Sequence, residues 1–170
     1  MANNKFVTVA TIQERFNLTN YTPELNLEEA QVTIADVNRP ALQLHGFYEH
    51  FEPSRIQVIG NVETAYLSKK SDEEKKESFA KLFSYEVPCV IFCRGEKPES
   101  VIVEEANKAK IPILGTDRGT SEFMSALIFS LNIFFKDEDF FIFSYIVSFS
   151  FKACEISCFV SDNMINLETK

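Results

Sequence analysis

Residues 87–93 read Val87-Pro88-Cys89-Val90-Ile91-Phe92-Cys93, an almost unbroken apolar run. A strand with one wet face alternates apolar and polar residues, whereas a strand covered on both faces has no need to. The run therefore predicts a buried strand of a mostly parallel sheet. Upstream, Arg55-Ile56-Gln57-Val58-Ile59-Gly60 is rich in β-branched residues and stops on glycine, a second strand. Downstream, Ile111-Pro112-Ile113-Leu114 reads as a third. Helical segments separate them. One starts at Asn61, and a second is opened by Ser71 as cap with Glu74 at the capping-box position, its inner face carrying Phe79, Leu82 and Phe83. A third covers 98–110, and a last one, 120–131, is entered through Gly115-Thr116-Asp117-Arg118-Gly119. Strand and helix in alternation predict an α/β fold with helices on both faces of a small sheet, a three-layer α/β/α domain.

Further out the pattern weakens. Val9, Ile12 and Phe16 are spaced as one face of a short helix over 8–16. Residues 17–29 are polar, include Pro23, and read as an irregular connection; 31–34 is a short strand. Val37-Asn38-Arg39-Pro40 reads as a turn, because Arg39 precedes proline and is biased away from helix. We expect one organised domain over 1–131 and a different kind of segment over 132–170. Of the 17 Phe, nine fall between Phe129 and Phe159, and Asp139 to Phe151 runs DFFIFSYIVSFSF. That block is shorter than the ~20 residues a membrane helix needs, and its spaced serines favour a strand. We expect an irregular, Phe-rich C-terminal tail with no independent domain.

Composition narrows the function. With 45% apolar and 25% charged residues in 170, the chain has the mix of one globular domain. A net charge of −8 offers no broad basic surface, which argues against nucleic acid as the main partner. The N-terminus lacks an apolar core of signal-peptide length, so a cytoplasmic location, no membrane partner and reduced thiols are expected.

Few residues suggest chemistry. Cys89 and Cys93 are spaced CxxxC, as are Cys154 and Cys158. On a strand the first pair would sit about 13 Å apart, whereas ligands of one zinc lie within ~4 Å of each other. Buried thiols acting as small apolar side chains is the expected reading, with no metal site. His45 and His50 carry no catalytic signature and are expected at the surface or half-buried. Lys69, Lys70, Lys75 and Lys76 alternate with acidic residues as on a solvated helix face. The loop after the third strand is the best phosphate-cradle candidate: Gly115, Thr116, Gly119, Thr120 and Ser121 join a buried strand to a helix N-terminus, whose free N–H groups can receive an anion. It is not a P-loop, since the glycine spacing is one short of GxxxxGK[ST] and the lysine is missing. A strand–helix turn capped by Thr120 or Ser121 is the alternative.

The blocks Ile34-Ala-Asp-Val-Asn-Arg-Pro-Ala-Leu-Gln-Leu-His-Gly-Phe47, Arg55-Ile-Gln-Val-Ile-Gly60, Leu82-Phe-Ser-Tyr-Glu-Val-Pro-Cys-Val-Ile91 and Ile111-Pro-Ile-Leu-Gly-Thr-Asp117 together closely resemble the N-terminal domain of HPr kinase/phosphorylase. The similarity is collinear over about residues 5–131. It implies a three-layer domain like the substrate domain of Mur ligases, in a bifunctional enzyme that phosphorylates and dephosphorylates a serine of the phosphocarrier HPr in bacterial carbon regulation. The family's P-loop, magnesium ligands and acid/base belong to a second domain. No GK[ST] occurs in this sequence, the 39 residues after Leu131 are too few for that domain, and the tail does not resemble the family. A frameshifted or shortened gene, or a divergent extension, would explain the difference. The resemblance thus implies a regulatory-type domain with no family catalytic residue, no cofactor of its own (ATP and magnesium belong to the missing catalytic domain) and no activity alone. HPr or the catalytic domain are the implied partners, and self-association is possible. A free-standing module for a small anion or nucleotide-like ligand is the competing expectation.

Overall fold

A computed structural model describes residues 5–135 of the chain. The first strand, β1 (Val7–Thr8), runs into α1 (Val9–Phe16), and Thr8 caps that helix by accepting from the Thr11 amide at 3.2 Å. Two short strands follow, β2 (Thr19–Asn20) and β3 (Gln31–Val32). Then come β4 (Val37–Asn38), α2 (Ala41–Leu44), β5 (Ile56–Ile59), α3 (Asn61–Leu67) and α4 (Asp72–Phe83). The remainder is β6 (Val90–Phe92), α5 (Ser100–Ala109), β7 (Ile113–Gly115) and α6 (Thr120–Phe135).

The main sheet has the order β2-β7-β6-β5-β4. Four strands are parallel, and β2 pairs antiparallel with β7 along one edge. Strand parity divides the core into two layers. Ile56, Val58, Cys89, Ile91, Cys93 and Leu114 face α1 and α6, where they meet Val9, Ile12, Phe16, Phe123, Leu127 and Leu131. Ile59, Val90, Phe92 and Ile113 face the other way, onto Leu44, Leu67, Phe79, Leu82, Phe83, Ile102 and Ala106 of α2 to α5. Both faces of β6 are therefore covered, which is why its sequence does not alternate. The capping box at Ser71 is formed: its hydroxyl accepts from the Glu74 amide at 3.2 Å, and the Glu74 carboxylate accepts from the Ser71 amide at 2.8 Å.

The structure corrects three local expectations. Val37 and Asn38 are an edge strand, not part of a turn, paired in parallel with Ile56 and Gln57. The extended backbone that Pro40 favours just upstream serves a strand end as well as a turn. Thr19 and Asn20, expected in an irregular connection, pair with Gly115 and Leu114. The edge continues through Tyr21, whose amide donates to the Ile113 carbonyl at 2.9 Å, and through the Thr22 hydroxyl, which accepts from the Ile113 amide at 3.1 Å. The expected 31–34 strand is present as β3, which pairs antiparallel with β1 in a separate two-stranded sheet. The last helix continues to Phe135, past the expected 131. The expected tail strand and the Cys154–Cys158 pair lie outside the described residues.

Candidate functional site at the carboxyl ends of the strands

Parallel strands bring their carboxyl ends to one edge of the sheet, so the turns leaving β4, β5, β6 and β7 gather there. Arg39 follows β4, Gly60 follows β5, Cys93, Arg94 and Gly95 follow β6, and residues 116–119 follow β7. Around β6 and β7 the connections part: α5 packs on one layer and α6 on the other. Such a parting is where open α/β sheets hold ligands.

Here the two turns are tied to each other. The Thr116 amide donates to the Phe92 carbonyl at 2.8 Å, the Gly95 amide to the Thr116 carbonyl at 3.0 Å, and the Arg94 amide to the Arg118 carbonyl at 2.9 Å. Arg94 and Gly95 both take positive φ, 65° and 70°, which turns the chain sharply enough for those amides to point across. Thr116 Oγ1 accepts from the Arg118 amide at 3.3 Å, a local turn bond.

The residues expected to cradle an anion occupy different settings. A side chain on Gly115 would meet the Tyr21 ring at 2.5 Å, so that glycine is needed for ring packing. Thr116 is held in the turn just described. Gly119 opens α6 by accepting from the Phe123 amide at 2.8 Å, and Ser121 is exposed. Thr120 is buried, and its hydroxyl has no hydrogen-bond partner. That hydroxyl lies against Gly60, where an added Cβ would come within 2.5 Å of Oγ1. Arg94 and Arg118 are exposed on the rim beside exposed Asp117, and Arg118 lies over the Phe16 ring at 5.9 Å.

Sequence reasoning missed the most enclosed charged residue of this edge. Glu63 is 1% exposed, and its Oε2 accepts from the Gly60 amide at 2.9 Å and from Arg39 Nη2 at 2.7 Å. It stands three residues after the residue preceding α3, where a carboxylate reaches back to free helix amides. That local signal was present, although nothing local reveals the pairing with Arg39. Burial pushes the neighbouring Cys93 thiol up to about 11, against the pull of Arg39 and Arg94. Burial alone pushes Cys89 up to about 12, so both are protonated thiols at neutral pH, not nucleophiles. They share the core face with Ile91 between them. Among the described residues no group of His, Cys, Asp and Glu could hold a metal ion. His45 is exposed and its Nδ1 lies 2.8 Å from the Tyr66 hydroxyl; His50 is exposed too.

Gly60 and Thr120 offer a direct test of this packing. The Gly60 backbone is extended, with φ −125°, so alanine is tolerated conformationally and only the contact is at stake. Gly60→Ala should cost about 2 kcal/mol of stability through overpacking. Thr120→Ala should restore much of it in the double variant, because it removes the hydroxyl in the way. Thermal unfolding of the two single variants and the double reads this coupling; strict additivity would show that the two turns do not press on each other.

Fold and edge together define a small α/β domain whose strand-end turns are bound to one another, with arginines and one helix N-terminus on the rim. The profile described as HPr Serine kinase N terminus matches residues 7–131. The chain belongs to the HPr kinase/phosphorylase family, and the matched part is the family's N-terminal domain. It is 42% identical over 122 residues to the HPr kinase/phosphorylase of Lachnoclostridium phytofermentans, covering 72% of this chain and 40% of the relative. It is 35% identical over 126 residues to that of Clostridium perfringens strain 13, covering 74% of this chain and 40% of the relative. The chain thus spans about 40% of the length of these curated relatives. Among solved structures, the regulatory region of Clostridium perfringens pyrophosphatase, comprising CBS and DRTGG domains complexed with the activator diadenosine tetraphosphate, shares the fold. Its TM-score is 0.50 at 21% identity, over 71% of this chain and 45% of that one. No helix among the described residues is long and apolar enough to cross a membrane.

Proposed function

We propose that residues 7–131 serve as a regulatory-type domain of bacterial HPr kinase/phosphorylase in carbon-catabolite control, acting in the cytoplasm and transferring no phosphate by themselves. One observation carries this reading: the family match ends at 131, and the sequence contains no GxxxxGK[ST] grip for a triphosphate. Phosphoryl transfer depends on positioned phosphate-binding groups and bound magnesium, and the Arg94, Gly95 and Thr116 amides are already bonded to carbonyls of the strand ends and turns. The natural partners are then HPr or the family's catalytic domain. The purified chain incubated with ATP, magnesium and HPr should yield no phosphoserine; phosphoserine above a no-protein blank rejects the reading.

A second reading, a module for a small anion or nucleotide-like ligand, is favoured by Arg94 and Arg118. Both are exposed beside the α6 N-terminus, and neither has a carboxylate within ion-pair distance among the described residues. Calorimetry with inorganic phosphate and phosphorylated metabolites tests it: heat that vanishes in Arg94→Ala supports it, and a flat titration removes it.

A further inference from the structure

We draw no further inference here: the strongest candidate, the apolar groove along α3 lined by Val62, Ala65 and Tyr66, carries nothing because nothing in the structure shows what covers it.

Discussion

Phe123→Ala should lower the unfolding free energy by about 4 kcal/mol, a large share of the ~5–15 kcal/mol a domain of this size possesses. Phe123 sits on the inner face of α6, fully buried, in the layer that also receives α1. Its ring meets Phe16 edge-on, centroids 5.5 Å apart at 77°, so it joins the two helices that cover one face of the sheet. Truncation removes the transfer energy of the ring, opens a cavity between two helices and a strand layer, and forfeits the edge-to-face pairing, itself worth about 1 kcal/mol. Phe123→Leu keeps most of the volume and should lose much less, about 1–1.5 kcal/mol. Urea unfolding decides it: the alanine variant should show a lowered midpoint with an unchanged slope. A small shift would mean that α6 covers the sheet without holding it.

The contrast between what the sequence revealed and what it concealed follows from how many neighbours each element has. β5, β6 and β7 are central, packed on two faces, and every residue of each is buried; such strands read as nearly apolar runs, and the one polar side chain, Gln57, is held by Asn38 at 2.8 Å and the Arg55 carbonyl at 2.6 Å. β2 and β4 are edge strands of two residues, with burial patterns too short to show a period, and their identity rests on partners far along the chain. The Ser71 box was legible because its donors and acceptors lie within four residues. The candidate site was half legible for the same reason. Strand, glycine and helix in succession mark the 115–121 loop, but Tyr21 on Gly115 and Arg39 on Glu63 meet only after the sheet has assembled.

The same physics explains the character of the strand-end edge. The Arg94, Gly95 and Thr116 amides donate to carbonyls across the β6 and β7 turns, and the buried Thr120 hydroxyl occupies the space a side chain on Gly60 would need. In a phosphoryl-transfer centre the backbone donors are kept free for substrate oxygens. The three cross-turn bonds fix the β6 and β7 turns against each other, and the edge so formed carries the exposed Arg94 and Arg118.

Glu63→Ala should cost about 3 kcal/mol, second only to the loss of the Phe123 ring. The carboxylate satisfies the Gly60 amide and receives the Arg39 guanidinium through one oxygen, Oε2, with its side chain 2% exposed. Removing it leaves a buried N–H without an acceptor at the very residue that presses on Thr120, and frees the loop after β4 from α3. The two ends of the pair are unequal. Arg39 is 38% exposed, so water can hydrate a released guanidinium, and screening limits what the pair itself contributes. Arg39→Ala should therefore cost less than Glu63→Ala, about 1–2 kcal/mol, because its removal opens the carboxylate to solvent. Glu63→Gln separates the two functions: the amide oxygen can still accept from Gly60, so about half the loss should return. Denaturant unfolding of the three variants gives the order Glu63→Ala, then Glu63→Gln and Arg39→Ala. If Arg39→Ala were instead the most damaging, the ion pair and not the Gly60 cap would be what fixes this corner of the sheet.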